Sequence, residues 1–239
     1  MIVAPVRSYS NWNQRPSDQM EQVEPYQKFF FICEGANTEV FYFKKLIDLR
    51  KKLGIHPLID ICLLEKIEED RTVSYPLQLY TFAQKQKKNP DINFDPTRDK
   101  MVIVFDADIF KKRSSHYEEI LEKARETQDI LAVTNPSFEL FLLLHYDGSL
   151  KSDILPNATS ILENAKVGNQ TFAYHLLLKR SGMNSKKNPQ IGTLAENIEI
   201  AIHQEKALNQ DIARCHGQLT SNIGKVISDI RHVKGPFMH

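Results

Sequence analysis

Residues 29–46 read FFFICEGANTEVFYFKKL. An apolar run ending at Cys33 gives way at once to Glu34-Gly35, and an amphipathic segment opens at Asn37-Thr38-Glu39. A short unbroken run such as KFFFIC suits a strand buried on both faces of a parallel sheet. The segment NTEVFYFKKLIDLRKKLG, 37–54, has Phe41, Leu46 and Leu49 among its apolar positions and gathers Lys and Arg toward its end. It closes on Gly54, a helix stop signal. A carboxylate at the exit of a buried strand is costly unless positive charge meets it there. What meets Glu34 is therefore the central question.

The alternation continues outward from this unit. Further strands are expected at 58–65 (LIDICLLE), 101–108 (MVIVFDAD) and 130–134 (ILAVT). Helices are expected over 72–88, with Pro76 in the first turn, and over 115–128. Asn135-Pro136 ends the last of these strands, and Pro136 suits the first turn of a short buried helix over FELFLLLHY, 138–146. Strands alternating with helices indicate βαβ units, hence an α/β protein with a mainly parallel sheet flanked by helices. Beyond about Asp147 no further strand is expected, and 157–165, 170–180, 191–215 and 221–232 read as helical. The chain thus divides into a polar N-terminal arm, 1–26, expected to be mobile, an α/β domain, 27–147, and a helical C-terminal extension, 148–239.

Composition narrows the function. The 239 residues suffice for one large domain or a domain with an appended subdomain. Hydrophobic residues at 41% and charged residues at 26% are ordinary for a soluble globular protein. A net charge of +1 gives no global basic field of the kind that coats nucleic acid or a membrane. Cys33, Cys62 and Cys215 are widely spaced and form no CxxC, which predicts reduced thiols and no zinc cluster. The N-terminus carries no signal-peptide pattern and no apolar run approaches a membrane span, so a soluble, cytoplasmic protein is expected.

Three acids fall where open α/β sheets place their ligands, at the carboxyl ends of strands. Glu34 ends the first strand, and Asp106 and Asp108 end the third, in VIVFDADIF. Alternation sends residues 106 and 108 to the same side. Carboxylates meeting there would repel and raise each other's pKa. A hard divalent cation, magnesium or manganese, removes that conflict. Two such ions, roughly 4 Å apart, would clamp the attacking and leaving oxygens of a phosphodiester. Each acid also has a structural reading: Glu34 as a solvated loop residue, Asp106 and Asp108 as an Asx turn or helix cap, Glu39 as a first-turn acid favoured by the helix dipole. A DxD after a strand also occurs in haloacid-dehalogenase-like phosphatases, which expect a Thr shortly after the second Asp, and in sugar-nucleotide glycosyltransferases, which give no reason for Glu34. His145 reads as a core histidine. Lys and Arg outnumber acids from Lys179 to Lys234, making the helical half the expected backbone-binding surface.

The stretches ICEGANTEVFYF, IVFDADIF, TNPSFELFLLLHY, SKKNPQI and TSNIGKVISDI, in this order from about residue 28 to 231, resemble the RloB-like family. That family is Toprim-like and associated with abortive-infection and restriction loci. The resemblance implies a Toprim-like, Rossmann-like fold and metal-dependent nuclease activity in antiphage defence. Glu34 would match the Toprim glutamate, Asp106 and Asp108 the metal-binding aspartates, Glu39 the acid of the TE pair and Glu139 the acid of NPSFEL, either of which could serve a second metal. Lys186 of SKKNP would neutralise developing phosphate charge. The implied partners are nucleic acid, whether DNA or RNA such as tRNA, and an AAA/ABC-type ATPase, with no membrane and room for a homodimer. Two rival expectations are a non-catalytic subunit of an ATPase complex and a phosphotransfer enzyme using the DxD alone.

Overall fold

A computed structural model of the chain describes residues 7–9, 25–66, 75–108 and 114–233. Four parallel strands form the centre of a six-stranded sheet: β2 (Gln27–Cys33), β3 (Ile59–Glu65), β4 (Lys100–Asp106) and β5 (Ile130–Asn135). The antiparallel edges are β1 (Arg7–Tyr9), paired to β3, and β8 (Thr220–Ser221), paired to β5. The order is β1-β3-β2-β4-β5-β8. This is the expected mainly parallel α/β sheet, a Rossmann-like arrangement. From β2 the chain runs to β3 on one side, and later returns to β4 on the other. The carboxyl ends of β2 and β4 therefore flank a topological switch point, where open sheets bind ligands.

Side-chain alternation assigns the strands to two cores. Phe29, Phe31 and Cys33 of β2 join Val102 and Val104 of β4 on one face; Phe30 and Ile32 join Met101, Ile103 and Phe105 on the other. The second face is covered by α2 (Pro76–Gln86) and α3 (Ser114–Thr127). Pro76 opens α2, where its missing N–H costs nothing. The first face packs against α1 (Thr38–Asp48) and α4 (Phe138–Leu143). Tyr42 meets Phe138 and Phe141, and Phe43 meets Phe138, edge-on or tilted, with ring centroids 5.5–6.1 Å apart. Burying each such ring contributes ~1.5–3 kcal/mol. His145 belongs to this core. Its Nδ1–H donates to the Phe141 carbonyl at 3.0 Å, so Nε2 accepts from the Tyr42 hydroxyl at 2.9 Å. Burial holds its pKa down to about 4, which keeps it neutral.

The C-terminal half shares this first core rather than lying apart from it. A 3-10 segment (Pro189–Asn197) contributes Ile191, Leu194 and Ala195, and α7 (Ile198–Glu205) contributes Ile198 and Ala201. At Gly192 a Cβ would stand 2.3 Å from the Phe41 carbonyl oxygen, so this segment lies backbone-to-backbone on α1. Beyond them come α5 (Ala158–Leu162), α6 (Phe172–Ser181) and α8 (Ile223–Arg231).

Four expectations need correction. Strands do occur after Asp147: β6 (Lys166–Val167) and β7 (Gln170–Thr171) form a hairpin, and β8 joins the main sheet. β8 holds because Asn222 continues its pairing, donating to the Leu131 carbonyl at 2.8 Å and accepting from Val133 N–H at 2.6 Å. The stretch 191–215 is not one helix but breaks into the 3-10 segment, α7 and a short turn, Ile212–Arg214. Pro136 stands outside α4, ahead of its N-cap Ser137, rather than in its first turn. Of the arm expected to be mobile, Arg7–Tyr9 form the edge strand, where Tyr9 donates to Asp48 at 2.9 Å. The remainder of that arm up to residue 24 lies outside the described residues.

Candidate functional site

The strand parities place the acids. Asp106 has the parity of Val102 and Val104, so it emerges from β4 on the face where α1 and α4 pack. Glu34 follows the last residue of β2, its N–H donating to the Val104 carbonyl at 2.8 Å. Its carboxylate accepts from Asp106 N–H at 3.2 Å, so the two strand ends are joined through it. Glu39 sits in the first turn of α1 and Glu139 in the first turn of α4. Gly35 makes room for Glu39: a Cβ there would fall 2.0–2.4 Å from the Glu39 carboxylate atoms.

The result is a cleft of about 410 Å3 lined by Glu34, Glu39, Asp106, Asp108 and Glu139, with Ser137, Asn164, Thr171 and Lys186 among the other walls. All six residues singled out from the sequence line it. Burial pushes Glu34 up to about 7, with Asp108 and Glu39 adding to the shift. Burial pushes Glu39 up to about 7, with Glu139 adding to it. Asp106 is raised well above the usual range by burial, then by Glu39, Glu139 and Glu34; the Thr134 hydroxyl, donating at 2.6 Å, opposes this. Lys66 opposes the shifts of Glu34 and Glu39, and Lys186 that of Glu39. Acids that push one another's pKa upward in a partly buried cleft are short of positive charge.

That shortage is the test of a metal. The donors are oxygen throughout, the preference of magnesium and manganese and not of zinc or copper. Among the described residues no group of three or more His, Cys, Asp or Glu lies close enough together to enclose an ion unaided. Magnesium does not demand such a cage; it keeps several waters and takes one or two carboxylates together with substrate phosphates. The donor set fits an ion completed by water and substrate.

Several site residues were not legible in the sequence. Lys66, directly after β3, donates to the Glu34 carbonyl. Its position at the same sheet edge as Glu34 and Asp106 was the available signal. Thr134 orients Asp106 from the neighbouring strand. Ser137, 9% exposed, has a buried hydroxyl without a hydrogen-bond partner among the described residues, and the Asn164 side-chain oxygen is likewise buried and unpartnered among them. Of the C-terminal basic residues expected to form a backbone-binding surface, Arg180, Arg214, Lys225 and Arg231 pair with Asp153, Asp211, Asp229 and Glu199. Lys186 differs from them. It lies over the Tyr174 ring at 5.8 Å and faces the cleft. The loop that carries it is fixed, since Thr38 donates to the Ser185 carbonyl at 3.1 Å and Lys186 N–H donates to Asn184 at 3.1 Å.

Taken together, these features define a Rossmann-like α/β protein with an acidic cleft at its switch point. The chain belongs to the RloB-like protein family, whose model matches residues 29–230. No curated protein and no solved structure matches it. No helix among the described residues is long and apolar enough to cross a membrane.

Proposed function

We propose that this chain is a divalent-metal-dependent nuclease, hydrolysing phosphodiester bonds of nucleic acid in the acidic cleft. The observation that carries this reading is the gathering of five carboxylates at the switch point between β2 and β4, where burial and neighbouring acids raise the proton affinity of Glu34, Glu39 and Asp106. One or two of Glu34, Asp106 and Asp108 at a time would ligate magnesium or manganese, with water and substrate phosphate completing the shell, and Glu39 or Glu139 would serve a second position. When bound, the metal supplies Lewis-acid polarisation of a phosphate and a water of lowered pKa. The chain's own residues do the rest. Thr134 fixes the Asp106 rotamer, Gly35 admits Glu39 to the cleft, and Lys186 offers its ammonium to the charge that grows on the phosphate. No side-chain nucleophile is required. A place in antiphage defence, with an ATPase partner in control, is proposed from the family resemblance alone.

Calorimetry with magnesium and manganese, on the wild type and on Glu34→Gln/Asp106→Asn, tests the site, followed by cleavage assays on tRNA, single-stranded DNA and duplex DNA. The reading expects metal-dependent cleavage of at least one substrate by the wild type and its loss in the double variant. Full cleavage by the variant overturns the mechanism. Biological activity that survives Asp106→Ala, but not changes on the C-terminal helices, would instead identify a non-catalytic subunit. Sensitivity to Asp106 and Asp108 but not to Glu34 would identify a phosphotransferase.

A further inference from the structure

The hairpin formed by β6 and β7 stands at the edge of the acidic cleft. Lys166 pairs with Thr171 and Val167 with Gln170 around a turn at Gly168-Asn169, with Gly168 at φ 61°. Its two ends are anchored: Phe172 N–H donates to the Ala165 carbonyl at 2.7 Å, and Thr171 caps α6 by accepting from Tyr174 N–H at 3.4 Å. Its feet, Asn164 and Thr171, both line the acidic cleft. Its tip faces solvent. Val167 is 37% exposed, one of three large apolar side chains exposed among the described residues. Lys166, one residue earlier in β6 and so on the opposite face of the ribbon, is also exposed and makes no ion pair among the described residues. At the foot, the Asn164 side-chain oxygen is buried, lacks a partner among the described residues and lies in the cleft wall.

We propose that this hairpin grips a nucleic-acid strand where it passes the rim of the acidic cleft, so that the site takes a polymer rather than a mononucleotide. The proposal rests on the reading of the cleft as a phosphodiester site and names its substrate class. A strand leaving the cleft presents phosphates to Lys166, the apolar face of a sugar or base to Val167, and base edges to the Asn169 amide. A mononucleotide ends inside the cleft and gains nothing from the tip.

The test uses the full chain and the variant Lys166→Ala/Val167→Ser, both changes being at exposed positions. Binding of fluorescein-labelled single-stranded RNA, single-stranded DNA and duplex DNA is followed by anisotropy, with calcium replacing magnesium so that strands stay intact. Hydrolysis of bis(p-nitrophenyl) phosphate, too small to reach the hairpin, is followed in parallel. The expected result is an increase of about tenfold in Kd for the strand the wild type binds. The slope of log Kd against log salt should also fall by about one, for the lost phosphate contact. Hydrolysis of the small diester should stay unchanged. Unchanged strand affinity and salt slope overturn the proposal, as does a wild type that binds no strand. Diester hydrolysis that falls in step with strand binding also overturns it, showing that the hairpin merely supports the cleft. Loss of a protein partner with normal strand binding overturns it in favour of a protein-docking face. If the wild type hydrolyses neither substrate yet the variant loses strand affinity, the grip stands and the catalytic reading falls.

Discussion

Two regions of the molecule bury carboxylates, and they do so in opposite ways. Glu205, at the end of α7, is 0% exposed. Its carboxylate accepts from Ser221 Oγ at 2.5 Å, Gly224 N–H at 2.9 Å, Lys225 N–H at 2.8 Å and Gln210 Nε2 at 3.0 Å. Two of those donors are orphan N–H groups in the first turn of α8, which a negative charge suits on two counts. Burial raises the Glu205 pKa, and every one of these donors pulls it back. In the cleft the balance is reversed. Glu34 accepts from one backbone N–H and Asp106 from one hydroxyl, while neighbouring acids push in the same direction as burial. A buried acid surrounded by donors is part of the fold; buried acids facing one another carry charge that the fold itself does not satisfy.

The sharpest way to break this comparison is to neutralise one acid of each kind. Asp106→Asn should reduce cleavage by about 1,000-fold, or ~4 kcal/mol of transition-state stabilisation. Its melting temperature should hold or rise, because repulsion is relieved. Glu205→Ala should do the converse. Stripping four donors of their acceptor costs about 3 kcal/mol, which lowers Tm by about 6–12 °C in a domain of this size, while the folded fraction cleaves normally. Thermal denaturation and initial rates on the same preparations check both. A Glu205 variant that melts normally and cleaves poorly would erase the distinction.

The acid cleft should also reveal itself through pH. Glu34 and Glu39 hold their protons up to about 7, well above their ordinary value of 4.5. Between these limits the native state binds more protons than the unfolded state, so stability declines as pH rises through that window. Metal-free Tm should therefore fall by several degrees between about pH 5.5 and 8, and magnesium should restore it at the upper end but not at the lower. The Glu34→Gln/Glu39→Gln variant should flatten the slope. Cleavage should run the other way, rising toward pH 7 as the acids ionise. A slope unaltered in the double variant would show that other groups set it.

The sequence made the strand-end acids legible for a physical reason. An unbroken apolar run can mean a buried strand, and a carboxylate at its exit needs a partner, so Glu34 and Asp106 stand out one residue at a time. The short edge strands β1 and β8 escaped because three and two residues carry no period. Glu205 escaped because an acid late in an amphipathic helix reads as solvated; its donors lie at residues 210–225, brought to it by the turn at 212–214 and by β8. Lys66, Thr134 and Ser137 lie on or just after neighbouring strands and meet the acids through strand order, whereas Asn164 reaches them from the turn between α5 and β6. For the C-terminal lysines and arginines, a count of charges does not reveal that Lys225 and Arg231 pair with Asp229 and Glu199.

Glu39 lies between the two cases, and Gly35 decides to which it belongs. An acid in the first turn of a helix is stabilised by the helix itself, so its presence in α1 argues nothing about a site. Its carboxylate, however, folds back into the space where Gly35 lacks a side chain. The atoms that a Cβ at residue 35 would strike are the far end of the flexible Glu39 side chain, not backbone. Gly35→Ala should thus leave Tm within about 2 °C of wild type while turning Glu39 away from Asp106 and Glu139. If Glu39 serves the cleft, cleavage should fall by about tenfold, ~1.4 kcal/mol, with weaker metal affinity and no further loss on adding Glu39→Gln. If Glu39 is a helix-end acid and nothing more, Gly35→Ala will cleave as well as wild type, and the double variant will match Glu39→Gln alone.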